Sequence, residues 1–283
     1  MKTRSTIAAA IGALLLSACD DGDGGGSSSP TPAATPPATA TAEPTSTSGP
    51  PTPTRTATPT PTIGGQLDIA ICAPEAAPFS AEIDNPFFPL PVGTQWVLTG
   101  EEDGAAVRLV ISSLPDTEVV AGVTTRVVEE RESEDGELVE VSRNFFAQSA
   151  DGTVCYYGED VDDYEDGEIV GHGGAWRAGV SGALPGILIP ANPQVGQTFQ
   201  QESAPGVAED HAEQVAAGES VTVGLGTFSD TIRYEESSPL DRGTSDKVYA
   251  RGVGLLVDDA LERVAAKELA RRVDLSPIRA RFP

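Results

Sequence analysis

Seven of the ten side chains in residues 159–168 are carboxylates and none is basic. Crowded hard oxygens suit calcium, which takes six to eight such ligands. The spacing does not match an EF-hand, since no register puts acids at the first, third and fifth positions, glycine at the sixth and glutamate at the twelfth. Calcium held here would use Asp160, Asp162 and Asp163, with Asp166 behind them. The plainer expectation is a solvated acidic hairpin tip.

A glycine-rich run, residues 171–186, follows at once and carries His172, Trp176, Arg177 and Ser181. Its glycines permit positive φ and a close approach of backbone to a ligand or to another segment. It contains no Gly-Lys-Ser/Thr ending, so it is not a phosphate loop. Gly179-Val180-Ser181-Gly182-Ala183 comes near the nucleophile elbow, but Pro185 and Gly186 close the segment off where that motif needs a helix. The expectation is an irregular loop folded over a sheet, with Trp176 as its anchor.

The chain has two histidines, His172 and His211. Residues 208–213 read as a strand with Glu209, His211 and Glu213 on one face. His172, Glu209 and His211 could form a zinc or copper site, and two histidines with a carboxylate leave an open position for a catalytic water. A metal-dependent hydrolase would then be built on His172, His211, Glu209 and Asp210. Neither histidine has a recognised metal spacing, and ordinary histidine–carboxylate pairing is the plainer reading. For a binding module, Trp176, Phe199 and Tyr249 would supply apolar contact and Arg177 an anchor for an anion.

The elements that must position these residues read as strands. Asp-Gly recurs at residues 103–104, 135–136, 151–152 and 166–167. This dipeptide favours tight hairpins, and β-branched stretches flank most of the pairs. Strands are expected over residues 107–113, 119–130, 138–148, 154–159 and 168–172, then 198–202, 208–215, 220–223, 227–235 and 247–256. In residues 124–130 and 138–142 apolar and charged positions alternate, as in a sheet with one wet face. Residues 85–91, Asn-Pro-Phe-Phe-Pro-Leu-Pro, are held extended by proline and read as a strap plugging one end of the core. Pro91 to Trp96 is echoed by Pro193 to Phe199, each a proline and glycine leading to an aromatic. Near the end, residues 260–272 are rich in helix formers, with acids early and Arg271 and Arg272 late, which predicts a helix. The fold class is therefore mainly β, a long antiparallel meander forming a curved sheet, half-barrel or sandwich, with one C-terminal helix.

Residues 1–18 have a basic start (Lys2, Arg4) and a short apolar run, and end in Leu16-Ser17-Ala18 before Cys19. The run is too short to span a bilayer and reads as an export signal. Leu16-Ser17-Ala18-Cys19 resembles the lipobox of bacterial lipoproteins. That resemblance implies cleavage before Cys19 and acylation of Cys19 with more than one chain, which stable anchoring requires. Asp20 next to it favours inner-membrane retention in some Gram-negative lipoproteins, which leaves the final membrane open. Residues 19–65 then form a linker, with ten prolines and twelve threonines between Pro30 and Thr62. Such a segment forms neither helix nor sheet and should be a semi-extended spacer. Residues 66–283 make up the β-rich domain. With Cys19 lipidated, Cys72 and Cys155 remain, and an oxidising compartment favours their disulfide.

The net charge is −25. Setting aside three basic and four acidic side chains of the first 65 residues from the 18 and 43 of the whole leaves 15 against 39 on the domain. Such a surface repels phosphate backbones, so no nucleic-acid partner is expected. Residues 85–90, 176–202 and 249–255 also resemble blocks in exported bacterial proteins that carry no assigned activity. More loosely, a lipid anchor plus a meander resembles half-barrel envelope lipoproteins that carry lipids. The expectation is a lipoprotein of the bacterial cell envelope, membrane-bound through its lipid and exposed to the periplasm or cell surface. Its domain would bind a small-molecule, lipid or protein ligand. A metal-dependent hydrolase using His172 and His211 and a calcium-stabilised structural protein are the alternatives.

Overall fold

Asp103-Gly104, Asp135-Gly136 and Asp166-Gly167 each place both residues at positive φ, the backbone of a tight hairpin whose twist matches the strands it joins. The computed structural model describes residues 64–268. The expected signal segment, the lipobox-like residues 16–19 and nearly all of the expected linker lie outside them. In chain order the described elements are a 3-10 turn (Ile69–Cys72), β1 (Phe79–Ser80), β2 (Thr94–Glu102), β3 (Ala105–Val120), β4 (Val123–Glu134), β5 (Glu137–Ser149) and β6 (Val154–Glu165). Then come β7 (Glu168–Gly171), β8 (Trp176–Arg177), β9 (Leu184–Ile189), β10 (Thr198–Gln200), β11 (Glu202–Ser203), β12 (His211–Ala217), β13 (Val221–Val223) and β14 (Gly226–Phe228). β15 (Thr231–Ser237), β16 (Thr244–Ala250), β17 (Gly254–Asp258) and β18 (Leu261–Glu268) complete the chain. The fold is mainly β, one large antiparallel sheet.

Two expected strands are drawn differently. The stretch 119–130 is cut by a hairpin at Ala121 and Gly122, both at positive φ, so that β3 and β4 are separate strands. Nothing in Val-Ala-Gly-Val resembles an Asp-Gly signal; the glycine alone permits the turn. β3 also bulges between Ser113 and Thr117, around Pro115, which cannot donate to a ladder. Arg126 turns inward at the bulge and donates to the carbonyls of Leu114, Asp116 and Ala81.

The sheet runs β10-β12-β15-β16-β17-β18-β2-β3-β4-β5-β6-β9-β11. Its first and last members are two pieces of one stretch. β10 pairs with β12, and β11, one residue further on, pairs with β9. Residues 198–203 therefore bring the two edges of the sheet together, and the sheet is nearly closed into a barrel. At the crossing, Gln201 N–H donates to the carbonyl of Asp210 at 2.7 Å. Gly186 of β9 lies so close that an added Cβ would stand 2.0 Å from the Gln201 carbonyl oxygen. The seam is covered by the lead-in. Gly64 and Leu67 donate to the carbonyls of Val195 and Thr198, and Cys72 forms a disulfide with Cys155 of β6.

The two proline-glycine leads share a conformation. Gly93 and Gly196 have φ of 81° and 82°. Each donates its N–H to a neighbouring strand, to Ser113 and to Gln214, and each ends in a buried aromatic, Trp96 and Phe199.

The strap crosses one end of the barrel, as its prolines and apolar side chains suggest. Asn85 donates to the carbonyls of Gly152 and Pro190 on one side, and Pro86 accepts from Gly252 on the other. Phe87, Phe88 and Leu90 are buried beneath it. Phe88 is the middle of a chain of ring contacts running from Trp176 through Tyr156 and Phe146 to Phe88, then through Tyr249 and Tyr234 to Phe199, with centroids 4.8–6.1 Å apart. These rings form an apolar floor inside the strapped end.

The expected C-terminal helix is not present. Residues 261–268 are strand β18, paired with β17 on one side and β2 on the other, and residues 269–272 lie outside the described residues. Leu261 and Arg263 are buried while Glu262 and Val264 are exposed, a period of two. The hairpin at Asp259 aims the segment between two open edges, and filling those ladders outweighs a helix preference of a few tenths of a kcal/mol per residue.

Candidate functional site

Partners in an antiparallel ladder point to the same side of the sheet, so the register shows which side chains share the interior. Val128, Asn144, Glu159 and Trp176 form one row across β4, β5, β6 and β8. Two residues further along, Glu130, Ser142 and Val161 form the next, and Glu132, Glu140 and Asp163 the one after. Glu159 belongs to the same interior as Tyr156 of the aromatic floor. The carboxylates of these rows thus stand above the floor, towards the end of the barrel that carries the Asp-Gly hairpins. From the opposite wall, Tyr234 is paired with Lys247, and Lys247 with Asp258. Glu236 and Tyr249 lie two residues away on the same faces.

This interior has many acids and few bases. Lys247 forms ion pairs with Asp258 and, at 3.7 Å, with Glu236. Burial alone would lower its pKa, but these two carboxylates outweigh burial and hold the ammonium above its ordinary value. Other carboxyls of this interior form no ion pair among the described residues, and Lys247 only partly offsets burial at Glu102, Glu130, Glu202 and Asp210. Burial, followed by the charges of neighbouring acids, pushes Glu132 up to about 9. Glu159 is pushed up by burial to about 8, and Glu102 and Asp210 each to about 7. Burial also drives Glu130, Glu140 and Glu202 well above the usual carboxylate range. Both carboxyl oxygens of Glu130, Glu132 and Glu202 lack a hydrogen-bond partner, as do Gln201 Oε1, Gln214 Oε1 and the hydroxyls of Tyr234 and Tyr249. Many carboxyl, amide and phenol oxygens of this cluster thus have no hydrogen-bond partner, the opposite of a self-satisfied polar core.

The acidic run 159–168 is a solvated tip only over residues 165–168, which are exposed. β6 continues to Glu165, so only Asp166 and Gly167 turn, and Glu159, Asp160 and Asp162 are buried. Strand alternation divides the three expected calcium ligands. Asp160 and Asp162 point outward, where Arg177 holds Asp160 at 2.6 and 3.0 Å and His172 Nδ1 lies 3.1 Å from Asp162. Asp163 Oδ2 accepts from Gly173 N–H. Nor are the charged positions of β4 and β5 a wet face. Glu130 and Glu132 point inward, and Glu129 and Arg143 pair on the outer side while buried.

Trp176, Phe199 and Tyr249 are brought into one continuous feature, the aromatic floor. Arg177 is separated from them on the outer face, over the Phe145 ring at 4.6 Å and beside Asp160 and Glu118. His172 and His211 stand on parts of the sheet separated by β9 and the β10–β11 stretch. His172 Nδ1 lies 2.8 Å from the Val161 carbonyl, and exposed His211 lies 2.9 Å from that of Glu209. β12 starts only at His211. Glu209 is therefore in the preceding turn, accepting from Gly206, and Asp210 is buried at the seam. His211 lines a surface cleft of about 390 Å³ with residues 66–69 and Gln200. Among the described residues no three His, Cys, Asp or Glu side chains are grouped as metal ligands. Ser181 is at an exposed turn between two strands with no helix behind it.

The residues that sequence reasoning passed over are Glu130, Glu132, Glu140, Glu202, Glu236, Lys247 and Asp258. Their one signal was period-two placement within β-branched runs, which looks the same whether the charged face meets solvent or the inside of a barrel. Comparison of the chain with protein-family models, curated proteins and solved structures finds no match.

Proposed function

We propose that this chain is an exported bacterial lipoprotein, anchored by acylated Cys19 and held off the membrane by its Pro/Thr-rich linker, whose barrel serves as a binding module. The carrying observation is the barrel interior, where an aromatic floor meets a set of buried acceptors without partners. Natural cores satisfy almost all such groups, and binding sites are the usual place where they do not.

The test has two arms. Cells expressing the chain are grown with an alkyne-tagged palmitate analogue. Label and membrane association are expected for the native chain, and Cys19→Ser is expected to lose both; an unlabelled native chain overturns the anchor. Native mass spectrometry of the purified protein is expected to show a bound non-protein mass released on denaturation. Its absence in protein from both the original host and a heterologous one overturns the binding role.

A further inference from the structure

Lys247 shows how the interior of the barrel treats an ammonium. The Lys247 ammonium is fully buried between Asp258 and Glu236, with Tyr234 as its cross-strand neighbour. A buried ammonium of this kind persists only when acceptors surround it. Elsewhere in the same interior carboxyl groups are buried with no base ion-paired to them among the described residues. Glu130 and Glu202 are buried to 1 % and 0 % exposure, with no hydrogen bond to any carboxyl oxygen. Glu202 feels the charges of Asp210, Glu159, Glu236 and Lys247, and Glu130 those of Asp258, Lys247, Glu159 and Glu140, so they belong to one cluster around Lys247.

Two observations apart from the acids point the same way. Gln201 donates its amide to Glu236 at 2.7 Å, which leaves its carbonyl oxygen without a donor. Tyr249, with 0 % exposure, has an unpartnered hydroxyl and feels Glu236, Asp258 and Glu130, so it too stands at this cluster. Amide and phenol oxygens stay acceptors whatever the protonation of the acids. What these unpartnered oxygens lack is a second compact group with several N–H donors and a positive charge.

We propose that the acidic half of the barrel binds a primary or secondary alkylammonium ligand, such as a di- or polyamine. The ammonium would be held among Glu130, Glu202 and Gln201, and the alkyl body would lie on the aromatic floor at Tyr249. This deepens the binding role given above and rests on it. The ammonium supplies N–H donors to the orphan oxygens, and the floor supplies cation–π and apolar contact for the carbon chain.

The experiment is isothermal titration of the full-length protein in detergent with 1,4-diaminobutane and with spermidine, at constant ionic strength. Saturable binding is expected, accompanied by proton release detectable as a difference in heat between two buffers of unlike ionisation enthalpy. Tetramethylammonium, which has no N–H, is expected to bind at least about tenfold more weakly. Glu130→Gln and Glu202→Gln are each expected to weaken amine binding at least about tenfold. Should either variant fail to fold, proton release and the tetramethylammonium contrast on the native chain decide the matter. No heat from either amine at millimolar concentration overturns the proposal, as does a response matched by sodium chloride or seen with magnesium or calcium alone. A bound mass of another chemistry with no amine response would overturn this proposal and leave the binding role standing.

Discussion

The backbone carbonyl of Gln201 occupies the space that any side chain on Gly186 would need, with an ideal Cβ only 2.0 Å from the oxygen. Both residues are in the seam where β9 meets the stretch that ends the sheet at its other edge. Closure therefore depends on a missing side chain. Gly186→Ala is expected to destabilise the protein by about 3 kcal/mol, because backbone and not a flexible side chain must give way. Gly65→Ala, with nothing near its added Cβ, is the control and should change stability little. Urea unfolding followed by tryptophan fluorescence measures both, and equal midpoints would refute the close approach.

Removing Lys247 leaves Asp258 and Glu236 buried without their base. Lys247→Met is expected to cost about 3–5 kcal/mol, since an orphaned buried carboxylate is far more expensive than the pair is favourable. Adding Asp258→Asn to it should recover part of that loss. Equilibrium denaturation at pH 8, where ionised acids matter most, of Lys247→Met, Asp258→Asn and the double variant gives the three values needed; additive single effects would show that the pair is not coupled.

Stability should fall as pH rises from about 5 to about 9. Glu102, Asp210, Glu159 and Glu132 have folded-state pKa values raised to about 7, 7, 8 and 9, chiefly by burial. The folded state therefore binds more protons than the unfolded one in this window. The stability these acids confer is complete below their unfolded pKa, 4.5 for the glutamates and 3.8 for Asp210, and is lost as pH climbs through the folded values. Melting temperatures by circular dichroism at pH 5, 7 and 9 should decrease in that order, and Glu132→Gln should flatten the upper part of the curve. A rising profile would contradict the burial of these groups.

Reducing the Cys72–Cys155 bond should loosen the lead-in that covers the seam. The bridge joins residues 83 apart in sequence, so loop-closure entropy assigns it up to about 4 kcal/mol. Cys72→Ser with Cys155→Ser is expected to lower the melting temperature and to speed amide exchange at Leu67, whose N–H bonds to Thr198. Unchanged exchange there would mean that the lead-in holds without its staple.

What the sequence by itself determined is whatever depends on neighbours along the chain. Three of the four Asp-Gly pairs make two-residue hairpins because their conformational preference is local, and the proline-locked strap needs the nearest apolar surface, which turned out to be Phe146 and Tyr249. Tertiary structure alone decided three other matters. Residues 261–268 favour helix in isolation, yet two unfilled ladders, β17 and β2, make them a strand. Glu130, Glu132 and Glu159 follow the period-two pattern that a solvent-facing row would show, and only closure of the sheet turns that face inward. Closure itself rests on Gly186 meeting Gln201 and on Cys72 meeting Cys155, pairings between segments far apart in the chain, and periodicity within one strand has no information about which distant edge will meet it.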